Sequence, residues 1–185
     1  MTIAIGSLCQ NGAIVMADTN VILSDGTKSQ GCKVAAGSSR YGHCIMANAA
    51  DDGNAANTLG RQLISNFKSN PVETFTELES RMTETMTAWA QPFNGKPPAT
   101  QFVVAVYLNT DSDKLQLYFI EPPNTVLPKN DIGYTAVGTG AAITDPLHKT
   151  FIKHYFHPAQ LMLKYLSYLM YRAKGMVFES PGVRP

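Results

Sequence analysis

At 185 residues the chain has the length of one domain, 1–185, large enough to bury a core without disulfides. Its formal charge of +1 comes from 15 basic and 14 acidic residues spread along the sequence without a Lys/Arg cluster, which argues against nucleic acid or an anionic membrane surface as partner. Cys9, Cys32 and Cys44 are odd in number and form no C-x-x-C pair, so they argue against a zinc site or disulfide framework and for reduced thiols in the cytoplasm.

Thr2 to Cys9 and Ala13 to Ala17 are apolar, β-rich runs joined by Gln10-Asn11-Gly12. Asn-Gly between such runs is a hairpin signal, because both residues tolerate positive φ. The same break, with no basic segment before it, argues against a signal peptide. Asn20 to Gln30 is polar and reads as a loop. Lys33 to Ala36 and Gly42 to Ala49 read as two more strands around Gly37-Ser38-Ser39.

Asp51 or Asp52 can cap a helix whose apolar face is Ala55, Leu59, Leu63 and Phe67. Asn70-Pro71 with Glu73 reads as the start of a second helix, with Asn as N-cap and Pro in the first helical position. Its stripe is Phe75, Leu78, Met82, Met86 and Trp89, at helical spacing, and the proline and glycine residues from Pro92 to Pro98 end it. Gln101 to Asn109 and Lys114 to Ile120 form a further hairpin. Its first strand is continuously apolar and expected to be buried on both faces, and its second alternates as a half-exposed strand does. Tyr134 to Val137 is a short strand entering Gly138-Thr139-Gly140. Thr144-Asp145-Pro146 opens a helix, and His157-Pro158 opens another that reaches about Lys174. Strands, two helices, strands, two helices is the order of an α+β layered fold. No run approaches the ~20 apolar residues of a membrane span.

The chemistry of the chain gathers around Thr2. With Met1 removed, its hydroxyl lies beside a free α-amine, and a threonine so placed carries both nucleophile and general base. That amine, with a pKa of about 7.7–8, is suited to accept the proton near neutral pH. Asp18 closes the second strand, and a hairpin sets the end of its second strand beside the start of its first. Taken alone, Asp18 is a turn-capping carboxylate and Lys33 a solvated edge lysine. Taken together, a Lys33 ammonium anchored by Asp18 would favour the neutral amine and stabilise developing negative charge. Gly138-Thr139-Gly140 lacks the third glycine of a dinucleotide fingerprint, since position 143 is Ile, and reads as a tight turn presenting a hydroxyl. His43, His148, His154 and His157 show no metal-ligand spacing, and Ser38-Ser39 lacks the glycine frame of a nucleophile elbow.

These stretches resemble the proteasome β-type family of N-terminal threonine hydrolases, including the HslV-type peptidases. The resemblance is carried by Thr2-Ile3-Ala4-Ile5-Gly6, the run from Asn11 to Asp18, Lys33-Val34, Ala49-Ala50-Asp51, and the run from Tyr134 to Gly140. It implies a four-layer αββα Ntn-hydrolase sandwich with two antiparallel sheets between helix layers. It also implies peptide-bond hydrolysis through a threonyl ester, with Thr2 as nucleophile, its amine as base, and Lys33 as electrostatic partner held by Asp18. Thr139 stands where the family has a serine contacting the terminal amine. The oxyanion donor is a backbone N–H at a glycine, a position matched here by Ala47 or Asn48. Glu179-Ser180-Pro181-Gly182 resembles the family's Ser-Gly motif and makes Ser180 a weak further candidate; the aspartate upstream of that motif has no counterpart at Ala173 or Val177. Asn20 replaces an arginine common in active members. The chain ends at Pro185, where the family enters its closing strands, so either the sequence is shortened or the sheet is short at one edge.

No metal or organic cofactor is implied. The implied partners are copies of the same chain in a closed ring, an unfolded polypeptide or peptide as substrate, and an ATP-dependent unfoldase on the resemblance alone. All of this requires loss of Met1, which methionine aminopeptidases remove before small residues such as threonine. The alternative is a noncatalytic proteasome-like scaffold or binding subunit that keeps Met1.

Overall fold

A computed structural model describes residues 2–22, 28–94, 96–110, 114–142, 144 and 157–178. Strands β1 (Ala4–Cys9) and β2 (Gly12–Ala17) form the first hairpin, in register from Ala4 opposite Ala17 to Cys9 opposite Gly12. Strand β10 (Tyr134–Val137) pairs with the other edge of β1, Val137 opposite Ala4, and completes a three-stranded antiparallel sheet.

The span from Asn20 to Gln30, expected as loop, contains two short strands, β3 (Asn20–Ile22) and β4 (Lys28–Gln30), paired antiparallel. Strands of three residues are too short to show an apolar alternation. A second sheet takes the order β5 (Val34–Ser39), β6 (Gly42–Ala50), β7 (Thr100–Leu108), β8 (Leu115–Glu121) and β9 (Thr125–Pro128), every neighbour antiparallel.

Three corrections to the sequence reading have physical causes. Gly37 lies inside β5 rather than in a turn, and the chain reverses at Arg40-Tyr41. A Cβ at Gly37 would stand 2.9 Å from Ile64, so the glycine admits a helix against the strand. Strand β8 is covered on both faces, with Leu117 against the other sheet and Tyr118 and Ile120 under the helices. Strand β9 was not anticipated because it ends in Pro128, which an edge strand tolerates.

Helix α1 (Gly53–Ser69) starts at Asp52, whose carboxylate accepts the N–H groups of Asn54 and Ala55 at 2.8 and 3.3 Å. Helix α2 (Phe75–Ala90) starts later than expected. Its N-cap is Thr74, whose hydroxyl accepts from Glu77 N–H at 3.2 Å, while Asn70 caps the C-terminus of α1. Val72 is buried in the core between the two helices, which commits the Asn70–Glu73 segment to a connection. The stripe Phe75, Leu78, Met82, Met86 and Trp89 is buried throughout, as its spacing requires. Each such side chain contributes about 1.5–3 kcal/mol on burial. Helix α3 spans Ala159–Phe178.

Three apolar clusters fill the three interfaces of a four-layer α-β-β-α sandwich. Leu59, Leu63, Met86, Phe102 and Tyr118 join α1 and α2 to the five-stranded sheet. Ala4, Val15, Ala47, Ala49, Val103 and Leu117 lie between the sheets. Ile3, Ile5, Met162, Leu166 and Leu169 join the three-stranded sheet to α3. The middle layer, between the two sheets, includes the small residues Ala4, Ala47, Ala49 and Ala105. Gly6 of β1 faces this layer, and a Cβ there would stand 2.2 Å from Val103 Cγ1.

Candidate active site

Four of the residues singled out from sequence come together at one end of the sandwich, each at or beyond the end of a strand. In the first hairpin Ile3 lies opposite Asp18, and the two exchange hydrogen bonds: Asp18 N–H donates to Ile3 O at 3.0 Å, and Ile3 N–H donates to Asp18 Oδ1 at 3.3 Å. Lys33 precedes β5 in the other sheet and donates from Nζ to the same Oδ1 at 2.7 Å. The side chains of Lys33 and Asp18 are only 5% and 0% exposed, so this is a buried ion pair across the sheet–sheet interface. The β3–β4 ribbon makes the meeting local: Gly31 N–H donates to Thr19 O at 2.8 Å, closing the base of the excursion between the two residues.

Thr2 is half-buried, one residue before Ile3. Its N–H donates to Thr139 Oγ1 at 3.3 Å, and its carbonyl accepts from Gly140 N–H at 3.4 Å. Gly138 makes this approach possible. Its φ is +86°, and a Cβ there would stand 2.3 Å from Thr2 O and 2.8 Å from Ala49 Cβ. The Gly-Thr-Gly run is thus a turn wrapped on the Thr2 backbone, as its sequence suggested, and continues into helical conformation at Ala141.

The two oxyanion candidates are separated by strand geometry. Asn48 N–H faces β5 and donates to Lys33 O at 3.2 Å, with Asn48 Nδ2 on the same carbonyl at 3.4 Å. Alternation in an antiparallel ladder then turns the N–H of Ala47 toward β7, where Ala47 lies opposite Val103. Asn48, rather than Ala47, presents its amide on the Lys33 side. Ser180 lies outside the described residues. Among the described residues no group of three His, Cys, Asp or Glu side chains could hold a metal ion, and no helix is long and apolar enough to cross a membrane.

Two polar residues at this end were not singled out from sequence. Gln101, at the start of β7, accepts Gly138 N–H on Oε1 at 3.1 Å and donates from Nε2 to Glu121 Oε1 at 3.0 Å. No motif marks them; only the β7–β8 register, which sets Gln101 one step beyond Phe102 and Glu121 one step beyond Ile120, brings them together. A cleft of about 590 Å³, lined by the β1–β2 turn with Ser38, His43 and Tyr107, opens at the opposite end of the strands.

Solved structures share this architecture. The ancestral β-subunit Anbu from Yersinia bercovieri superposes with a TM-score of 0.76 at 12% identity, over 91% of this chain and 73% of that one. The fold is the HslV-like Ntn-hydrolase sandwich. HslV from Trypanosoma brucei gives a TM-score of 0.61 at 15% identity, over 94% of this chain and 91% of that one. An Anbu complex from Pseudomonas aeruginosa, described as a helical assembly, gives 0.72 at 10% identity, over 99% and 78%. No family model and no curated sequence matches this chain.

Proposed function

We propose that the chain is a threonine peptidase that acts once Met1 has been removed. The observation carrying this reading is the buried Lys33–Asp18 pair, whose carboxylate also accepts Ile3 N–H, one residue from the nucleophile. A structural ion pair could lie anywhere in the sandwich; this one is fastened to the backbone beside Thr2. In the proposed reaction Thr2 Oγ1 attacks the peptide carbonyl, and its proton passes to the freed α-amine. The amine returns the proton to the leaving nitrogen as the C–N bond breaks. Water then attacks the threonyl ester and gives a proton to the amine; as the ester C–O bond breaks, the amine passes that proton to Thr2 Oγ1, which leaves as hydroxyl. The cation of Lys33 favours the neutral amine and offsets the negative charge that builds on oxygen. Thr139 Oγ1 holds the nitrogen that becomes the base.

The reading places the site in a homo-oligomer of this chain as a single domain, with unfolded polypeptide as substrate and no cofactor. It is supported by the fold shared with HslV and with Anbu, one of whose structures is described as an assembly. A ring and a feeding unfoldase follow from the family resemblance. The second reading, a noncatalytic subunit, is favoured by one observation: the Asn48 amide is already donated to Lys33 O. In a working site that N–H must turn to the oxyanion.

Intact mass separates the two. The peptidase reading expects loss of Met1 and a single adduct on Thr2 after treatment with a β-lactone, whose carbonyl carbon bonds to Oγ1 as the ring C–O bond opens. Retention of Met1 with no adduct refutes it.

A further inference from the structure

We propose that Gln101, anchored by Glu121, is a positioning residue that sets the Gly138–Thr139 turn against Thr2. The inference rests on the reading of Thr2 as nucleophile and adds a residue to that site.

The orientation of the Gln101 amide is fixed by its two partners. Gly138 N–H requires an acceptor and the Glu121 carboxylate requires a donor, so Oε1 must face the turn and Nε2 the acid. A flipped amide would oppose donor to donor and acceptor to acceptor. The relay also bridges the layers. Gln101 and Glu121 belong to the five-stranded sheet, whereas Gly138 follows β10 in the three-stranded one.

What the relay holds is a turn with little slack. Gly138 has a left-handed φ and lies close to the Thr2 carbonyl, and Thr139 Oγ1 meets Thr2 N one residue later. Within the first sheet the β10–β1 ladder reaches only to Val137 opposite Ala4. Beyond it, Gln101 ties the turn to the second sheet, the sheet that also supplies Lys33. The same tie therefore registers the hydroxyl on the Thr2 nitrogen against the cation beside it.

The test uses the full chain after Met1 removal and a β-lactone probe, followed by intact mass to give the maximal acylation rate and the half-saturating concentration. Misplacing a reacting group by 1 Å costs on the order of 100-fold, so partial release of the turn in Gln101→Ala should lower the maximal rate about 10-fold and move half-saturation by less than about 2-fold. Gln101→Glu separates positioning from simple packing. With both carboxylates ionised the relay is broken by repulsion. With one shared proton the new acid donates to Glu121 while still accepting Gly138 N–H. Its rate relative to wild type should therefore rise at least about 3-fold between pH 8 and pH 6. A reactive wild type with an equally reactive Gln101→Ala overturns the proposal, as does a Gln101→Glu ratio that does not change with pH. An unreactive wild type instead sinks the nucleophile reading. Hydrogen exchange at Gly138 N–H then judges the relay: faster exchange in Gln101→Ala supports it, and unchanged exchange overturns it.

Discussion

Neutralising either member of the Asp18–Lys33 pair should cost far more stability than neutralising both. At 2.7 Å two unit charges attract by about 6 kcal/mol at an effective dielectric constant of about 20. Removing each ion from water costs several kcal/mol, so the intact pair contributes little net stability. A single substitution leaves the other charge buried without its counter-ion. Lys33→Met or Asp18→Asn alone should therefore lose about 3–5 kcal/mol. For a chain of this size that is a fall in melting temperature of roughly 6–20 °C. The double variant should lose less than either single variant. The assay is urea unfolding of the wild type, both single variants and the double variant at pH 7, read as a double-mutant cycle. Additivity within about 0.5 kcal/mol would mean that the two charges do not depend on each other, and would refute the reasoning.

Gly138→Ala should destabilise the fold by about 1–3 kcal/mol and suppress lactone labelling of Thr2, because the new methyl would meet Thr2 O at 2.3 Å from a left-handed backbone; wild-type melting and labelling would contradict the tight turn. Cys44 is buried, and desolvation pushes its thiol from 9.0 up to about 11 against the lowering effects of a Gly37 backbone hydrogen bond and Lys68. Iodoacetamide at pH 8 should accordingly label exposed Cys32 and spare Cys44 until the chain unfolds, as read by peptide mass mapping. Because the folded thiol has the higher pKa, its contribution to stability is fully present below the unfolded value and is lost as pH rises from about 9 to about 11. Met86→Ala, in the layer between helices and sheet, should cost about 2–5 kcal/mol in a denaturant titration; a loss below about 1 kcal/mol would argue against the packing described.

The parts of the fold legible in the sequence are those where one local signal suffices. Asn11-Gly12 marked the first hairpin, and with it the nearness of Asp18 to the start of β1. The apolar spacing of α2 marked its buried face. What sequence missed depends on partners distant along the chain. The β3–β4 strands, three residues each, are too short for a period to be read. The outer face of β8 is buried only because α2 lies over it, with Tyr118 OH donating to Glu79 at 3.1 Å. Asn70-Pro71 carries a helix-start signal, but Val72 is drawn into the core and Thr74 becomes the cap. At the site, spacing and the first hairpin single out Thr2, Asp18 and Lys33 at strand ends, whereas the role of Thr139 comes from the family resemblance. Gln101 and Glu121 carry no such mark and meet only through the register of β7 and β8.

The buried pair joining the two sheets has a consequence for finding ligands. Thr2, Asp18 and Thr139 flank the strands of one sheet, whereas Lys33 flanks the other, in which Asn48 and Gln101 lie. A molecule that grips both sides staples the sandwich shut, and its binding free energy adds to the work of pulling the layers apart. At a concentration 100 times its Kd such a molecule would raise the unfolding free energy by about 2.7 kcal/mol. Thermal-shift screening can therefore find what fits this seam without a turnover assay, and in a Thr2→Ala chain as well as in the natural one.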